Sequence, residues 1–450
     1  MPFSRVAAIL AAALFLSSSL AAQRLTLGEA LVRADGQAYA NRIAESGANA
    51  QAAQALGAYR GILPALRVEA GFVRTTDPIG VFGTTLRQRA ITPADFDPAR
   101  LNFPAAVNNR VAALVLEQPL LNADAWVGRH AGAAATAAAR ASAEWTRTDT
   151  RTDVIRAYFG ATLAHEKRET LESAERAAKA HVARAKALAD TGLVTRSDAL
   201  LAEVRAGEVS ALRLAAAGDA AHAARSLALL LGDPQASFEL PTALPSAEAI
   251  RALVALDTLP QPMDARADVL AAGFALEASR TDAWRAKATY LPRLNGFARY
   301  DWNDPTGLFA NDKSWTVGVM ATWSPFSGAS EISDLRTANA RAKSAEAQHD
   351  AAVGQAELEG ARTLSELQVA LAQLDIAEAA VAQSVEAHRI VALKYDGGLA
   401  TISDLLEASA METRSRLGAS AARYQLIVSA AERRQALGDD PAFLNALTTP

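Results

Sequence analysis

One ordered set of landmarks occurs twice along this chain at a constant spacing. Gln118-Pro119 is matched by Ser324-Pro325, Gly192-Leu193 by Gly398-Leu399, Ser197-Asp198 by Ser403-Asp404, and Leu231-Gly232-Asp233 by Leu437-Gly438-Asp439, each pair 206 residues apart. Four coincidences in one order at one offset identify a duplicated unit. Leu63-Pro64 and Leu291-Pro292 depart from the offset by 22 residues, so the first copy carries an insertion between its Leu-Pro and its later proline. Repeat 1 therefore covers 23–233 and repeat 2 covers 264–440. The intervening 234–263, with five prolines between Pro234 and Pro262, reads as a linker, and 441–450 as a C-terminal tail.

Within each copy the pattern is helix, two strands, a long helix, a turn and a further helix. Gly28 to Ile62 and Asp264 to Tyr290 are rich in Ala, Leu, Glu, Arg and Gln, lack proline, and stop at Leu-Pro. Ala-rich sequence then runs from Leu121 to Asp190 and from Glu331 to Asp396. At ~1.5 Å per residue each such helix is about 100 Å long, and the two shorter helices of a copy, end to end, match its length. A three-four apolar step through Leu364, Leu367, Leu371, Leu374, Val381, Val385, Ala392 and Tyr395, broken by Glu378 and His388, predicts lateral packing of a coiled-coil kind.

Between Leu-Pro and the second proline the period changes to two. Leu294, Gly296, Ala298, Tyr300 and Trp302 alternate with Arg293, Asn295, Phe297, Arg299 and Asp301, and Trp315, Val317, Val319, Ala321 and Trp323 with Ser314, Thr316, Gly318, Met320, Thr322 and Ser324. Each run is about ten residues, the length of a transmembrane strand, and Tyr300, Trp302, Trp315 and Trp323 suit the aromatic girdles of a bilayer interface. In the first copy Leu66, Val68, Ala70 and Phe72 alternate with Arg67, Glu69 and Gly71, but Val111 to Leu116 is apolar on both faces and its register stays open. Thr75 to Asn109, rich in Pro, Asp and Asn, reads as a long extracellular loop. The hairpins thus span 65–119 and 293–325. A soluble hairpin covering a core on one face would show the same alternation. In hydrocarbon, however, four strands cannot close a barrel and open edges are forbidden, so several copies would have to contribute.

Compartment and chemistry follow from the ends and the composition. Arg5, the apolar run Val6 to Leu16, and the small-residue site Ser19-Leu20-Ala21 predict a secretory signal over 1–22, cleaved after Ala21 or Ala22. Among 450 residues there is no cysteine, which excludes thiolate chemistry and an acylated N-terminal cysteine. A net charge of -4 with interspersed signs gives no nucleic-acid footprint. The six histidines, His130, His165, His181, His222, His349 and His388, lie apart in helical sequence without metal-ligand spacing, and no nucleophile elbow, phosphate loop or dinucleotide fingerprint appears. No catalytic residue, cofactor or metal site is expected.

Three sets of duplicated residues carry a family resemblance. Ile62-Leu63-Pro64 and Tyr290-Leu291-Pro292 precede the first strand of each hairpin. Gln118-Pro119-Leu120 and Ser324-Pro325-Phe326 with Gly328 follow the second. The turns are Thr191-Gly192-Leu193-Val194-Thr195 and Gly397-Gly398-Leu399-Ala400-Thr401. Over its mature length the chain resembles the TolC-like outer-membrane factor (outer membrane efflux protein) family. The resemblance implies a mainly α fold with a small β part. Long antiparallel helical coiled coils form a periplasmic α-barrel, and four strands per chain contribute to a trimeric 12-stranded transmembrane β-barrel in the outer membrane. It also implies a passive exit duct of a tripartite efflux or type I secretion system, whose partners are outer-membrane lipid, a periplasmic adaptor (membrane fusion) protein and an inner-membrane RND or ABC transporter. By position, the tip turns 191–196 and 396–401 place adaptor docking at Gly192, Leu193, Val194, Thr195, Gly398, Leu399, Ala400 and Thr401. Asp396 and Asp404, with Asp198 and Arg196, become candidates for a periplasmic gate; Ser403 and Asp404 at a helix start would equally serve as capping residues. The competing reading is a soluble periplasmic coiled-coil adaptor or scaffold, which would not need the two alternating hairpins.

Overall fold

The computed structural model describes residues 23–254, 265–309, 312–438 and 446. The predicted signal segment, the linker beyond 254, and the tail apart from 446 lie outside the described residues. The chain divides into two compact units. One is Gly47–Arg140 with Leu270–Ala351, and the other comprises the remaining segments, including Ala141–Val269.

In chain order the elements are β1 (Gln23–Arg24), α1 (Leu27–Gln37), α2 (Tyr39–Leu56) with a 3-10 turn at Gly57–Gly61, β2 (Ala65–Thr75), α3 (Pro78–Arg87), α4 (Pro98–Asn102), β3 (Val107–Leu121), α5 (Ala123–Asp190) and α6 (Arg196–Leu230). There follow β4 (Phe238–Glu239), α7 (Ala247–Val254), α8 (Ala267–Ala288), β5 (Arg293–Asp304), β6 (Asp312–Thr322), α9 (Ser330–Asp396) and α10 (Ile402–Ala436). The duplication is visible in the elements: α5 and α9 have 68 and 67 residues, and α6 and α10 have 35 each. The two long helices end at Asp190 and Asp396.

Three local readings change. The first helix is broken at Ala38, whose extended backbone (φ -56°, ψ 133°) separates α1 from α2. Gly232 closes on this break: a Cβ there would lie 2.2 Å from the Gln37 carbonyl oxygen, and its φ of +79° also favours glycine. Asn41 Nδ2 donates to the Ala34 carbonyl at 3.0 Å, one of the acceptors at the helix end. Within the predicted loop Thr75 to Asn109, Asp77 caps α3 by accepting from the Gly80 amide at 2.6 Å, and Asp97 caps α4.

The seam of α9 is the third correction. From residue 363 to the end of the helix its buried positions are Thr363, Leu367, Ala370, Leu374, Ser384 and Tyr395, whereas Leu364 is exposed. Leu367, Leu374 and Tyr395 of the expected stripe are buried and Leu371 and Ala392 pack against the cores; the stripe departs from the apolar letters at Leu364, and small hydroxyl residues enter it by bonding their own preceding turn. Thr363 Oγ1 donates to the Glu359 carbonyl at 2.8 Å and Ser384 Oγ to the Val381 carbonyl at 3.0 Å. Glu378 and His388 do not break the packing. Glu378 accepts from Arg251 at 2.5 Å at the rim, and His388 sits inside the seam.

The unit containing α1 has the main core. Leu27, Leu31, Ile155, Tyr158, Phe159, Leu227, Ile250, Leu374, Leu426 and Ile427 gather from α1, α5, α6, α7, α9 and α10. Tyr158 donates its hydroxyl to the Leu25 carbonyl at 2.9 Å, and burial pushes its phenol up to about 12. The described part of the predicted linker is docked on this core rather than spanning solvent. β4 pairs in parallel with β1, and Glu166 of α5 accepts from the Leu244 amide at 2.8 Å, from Ser420 at 2.5 Å and from Arg423. Arg266, almost fully buried, is held by Asp268 and Glu359, each at 2.8 Å, and lies 4.7 Å from the Trp145 ring centroid. A buried guanidinium is tolerated only with such pairing.

Gly232→Ala should lower unfolding stability by about 2–4 kcal/mol, from left-handed strain plus the clash with the Gln37 carbonyl. Gly36→Ala, in helix α1 with open space around it, should be neutral or stabilising by up to about 1 kcal/mol. Urea unfolding followed by circular dichroism reads both, and equal effects would contradict this account of the break.

Candidate functional site: membrane sheet and helix tips

Two places concentrate the residues singled out in the sequence. The first is an antiparallel sheet in the order β2-β3-β5-β6, so the two hairpins join through β3 and β5, one strand from each repeat. Residues directly opposite one another in such a sheet project from the same face. The register pairs Leu66 with Leu116, Val68 with Leu114 and Ala70 with Ala112. It then pairs Leu116 with Ala298, Leu114 with Tyr300 and Ala112 with Trp302, and finally Ala298 with Val317 and Tyr300 with Trp315. One face is therefore a continuous field of Leu, Val, Ala and aromatic side chains. This settles the open strand: Ala112, Leu114 and Leu116 join the apolar face, and Val111, Ala113 and Val115 the other.

That other face carries a ladder of ion pairs. Arg67 approaches Glu69 at 3.6 Å and Glu117 at 4.0 Å, while Arg299 reaches Glu69 at 3.1 Å and Asp301 at 2.8 Å. The ring of Phe297 lies over Gly318, its cross-strand partner, where a Cβ would stand 2.7 Å from it. An aromatic lying over a strand glycine restores the packing that glycine lacks. Beyond the ladder Asn109 donates to Asn303 Oδ1 at 2.9 Å, and Gln88 at the end of α3 donates to Asn109 Oδ1 at 3.0 Å. The insertion is thereby tied to the polar face.

The four aromatics mark the two ends of the apolar field. Tyr300 and Trp302 contact edge to face at 4.6 Å, Trp302 meets Phe309 at 5.3 Å, and Trp315 stands opposite Tyr300. Trp323, just past the other end of β6, donates its indole N–H to the Tyr290 carbonyl at 3.1 Å. Eight residues separate Trp315 from Trp323, about 27 Å of chain at ~3.4 Å per residue, or roughly 21 Å at a tilt of ~40°. That is comparable with the apolar band of an outer-membrane barrel. Among the described residues no helix is long and apolar enough to cross a membrane. Within this sheet, β2 and β6 are the edge strands, each with an unpaired side.

The second place is the pair of turns after the long helices. Gly192 (φ +75°) and Gly398 (φ +72°) end α5 and α9 in the left-handed conformation. The Leu193 amide bonds back to the Leu188 carbonyl at 2.9 Å and the Leu399 amide to Lys394 at 2.8 Å, the pattern of a glycine-terminated helix end. The next helices start on matched capping boxes. Thr195 and Asp198 exchange hydrogen bonds as do Thr401 and Asp404, each acidic side chain accepting from the threonine amide and hydroxyl at 2.7 to 2.9 Å. Sequence reasoning identified the glycines but not the caps: these are Thr195 and Thr401, with Asp198 and Asp404 three residues on, which the [ST]-x-x-[DE] spacing would have signalled.

These contacts give the candidate gate residues defined jobs. The Thr401 hydroxyl and amide hold the Asp404 carboxyl below its ordinary range. A lowered carboxylate stabilises the fold above its unfolded pKa, and that contribution disappears as pH falls through the lowered value. Asp396 pairs with Arg184 at 2.6 Å, joining the ends of α9 and α5, and Arg196 opens α6. Ala185, Ala199, Ala202, Tyr395, Ile402 and Leu405 form one small core, so the two tips are packed side by side. Leu193 and Leu399 remain outside it, 74% and 81% exposed.

Behind the tips, His181 and His388 stand edge to face at 6.1 Å, and His388 Nδ1 lies 2.6 Å from Glu412. Burial lowers the His181 pKa, reinforced by His388 and Arg184. Burial raises that of Glu412, but hydrogen bonds from His388 and Arg416 outweigh it and leave the carboxyl low. Among the described residues no group of three or more acidic, His or Cys side chains is arranged to hold a metal ion.

Residues 259–439 match the family model described as outer membrane efflux protein. No curated protein sequence matches the chain. Solved structures do. The outer membrane protein VceC of Vibrio cholerae superposes with a TM-score of 0.75 at 21% identity, covering 92% of this chain and 96% of that one. The CmeC outer membrane channel of Campylobacter jejuni gives 0.74 at 18%, covering 92% and 85%, and the MtrE outer membrane channel of Neisseria gonorrhoeae gives 0.71 at 18%, covering 92% and 89%. The fold is that of these outer-membrane channels.

Val317→Lys, in the middle of the apolar face, should cost about 2–4 kcal/mol in a bilayer and abolish assembly in the membrane fraction, whereas Thr316→Lys on the polar face should assemble normally. Equal behaviour of the two in membrane fractionation would contradict the facial assignment.

Proposed function

We propose that this chain, whose second repeat is an outer membrane efflux protein domain, is one subunit of a trimeric outer-membrane channel that passes substrates out of the periplasm. The sheet carries this reading. Its apolar face suits lipid and its ion-paired face suits water, but its edges β2 and β6 expose backbone donors and acceptors that hydrocarbon cannot satisfy. Pairing β6 of one copy with β2 of the next joins an apolar row (Val317, Val319) to an apolar row (Leu66, Val68). Three copies supply twelve strands and leave no edge. A soluble helical scaffold would have no use for the two girdles.

The chain acts as a passive conduit, coupled to a periplasmic adaptor and an inner-membrane pump of the RND or ABC kind. The adaptor docks on the tips Gly192 to Thr195 and Gly398 to Thr401. Support comes from Leu193 and Leu399, apolar side chains left exposed at equivalent positions of both repeats. The gate lies beside them. The Arg184–Asp396 pair fastens the long helices to each other, so opening the tips requires breaking it.

Two measurements test the reading. Purified wild-type protein should form pores in planar bilayers, with higher conductance for Asp396→Ala; absence of pores, or release of the protein into the soluble periplasmic fraction, would overturn the channel, and unchanged conductance would remove Asp396 from the gate. Leu193→Asp combined with Leu399→Asp should weaken crosslinking to the adaptor at least tenfold and abolish export while leaving pore formation intact. Retained crosslinking would sink the docking assignment.

A further inference from the structure

Next to the sheet, an apolar groove of about 530 Å³ runs between the first turns of α5 and the last turns of α8, bordered by Val127, His130, Trp284, Lys287, Ala288 and Leu291. Its volume is in the range of small-molecule sites. Trp284 is 64% exposed at its side. The Lys287 ammonium stands 4.3 Å from the Trp284 ring centroid, a cation held at the rim over an aromatic face. No carboxylate borders the groove, and the two nearest in sequence are engaged elsewhere: Asp124 with Arg293 at 2.5 Å and Asp282 with Arg285 at 2.7 Å. The rim is therefore positively biased.

The groove ends one residue from a contact of the proposed membrane girdle. Leu291, at its end, directly follows Tyr290, whose carbonyl accepts the indole N–H of Trp323 at the periplasmic edge of the apolar face. Trp126 is half exposed on the first turn of α5, and its carbonyl lies 2.9 Å from His130 Nδ1. Tryptophans clustered where an apolar surface meets a cationic rim are the side chains of a lipid headgroup zone.

We infer that this groove seats one glycerophospholipid of the periplasmic leaflet per subunit. An acyl chain lies against Val127, Ala288 and Leu291, and the phosphate sits at the Lys287 ammonium beside the Trp284 indole. The inference rests on the sheet spanning the outer membrane as proposed above. It makes the junction between barrel and helices a lipid-binding site, which no feature of a passive duct requires.

The test is native mass spectrometry of the detergent-released full-length protein titrated with dioctanoylphosphatidylglycerol, with dioctanoylglycerol as the phosphate-free comparison. Wild type should retain up to three phosphatidylglycerol molecules per trimer and bind them at least fivefold more tightly than the diacylglycerol. Ala288→Trp, which fills the groove, and Lys287→Glu, a surface charge reversal that leaves packing intact, should each weaken phosphatidylglycerol binding at least fivefold with the trimer mass unchanged. Equal binding by wild type and Lys287→Glu, or equal binding of the two lipids, overturns the site while a trimeric mass leaves the channel reading standing. A wild-type protein that is monomeric and soluble overturns both.

Discussion

A backbone amide or carbonyl placed in hydrocarbon must find its partner within protein, and this requirement governs the molecule. Four strands in the order β2-β3-β5-β6 satisfy their inner ladders and leave two edges open. Either edge is acceptable in water and neither is in lipid. An apolar face bounded by aromatics at both ends suits the sheet to lipid, and in the reading proposed above its closure comes from other copies. The trimeric reading is in this sense a hydrogen-bond argument before it is a family one.

The other face of the same strands shows how the polar side is kept in order. Arg67, Glu69, Glu117, Arg299 and Asp301 lie within ion-pair distance across three strands, so each charge has a partner. The same economy recurs in the helical unit, where the few buried charges are clasped: Arg266 by Asp268 and Glu359, Glu166 by Arg423 and Ser420. Those clasps tie proline-rich sequence to the core, which is why a segment that reads as a tether is docked. At the tips the duplicated glycine and capping threonine end one helix and start the next in a few residues. The geometry leaves one leucine per repeat in solvent.

Much of the architecture was legible because it is local or periodic. Helix boundaries, the two tip glycines, the strands of the second hairpin and the number of strands per chain follow from propensity, punctuation and alternation. What failed did so for identifiable reasons. The break at Ala38 depends on Gly232, nearly 200 residues away, closing on the Gln37 carbonyl. The α9 seam was misread at Leu364 because Thr363 and Ser384 bury hydroxyls that bond their own helix, so polar letters share the stripe with Leu367, Leu374 and Tyr395. The Trp284 groove had no sequence signal, since its two walls come from different repeats.

The sequence by itself determined a duplicated helix-hairpin-helix chain with too few strands to close and aromatics where a bilayer would end. Alternation and helix-ending glycines act within a few residues, so they are readable without a fold. Only the tertiary structure decided which face Val111 to Leu116 presents, because a strand apolar on both sides has no preferred register until its neighbours supply one. Pairing β3 with β2 placed Leu114 beside Val68 and Val115 beside Arg67, and pairing it with β5 placed Leu114 beside Tyr300 and Val115 beside Arg299, so both neighbours separate its apolar side from its charged side.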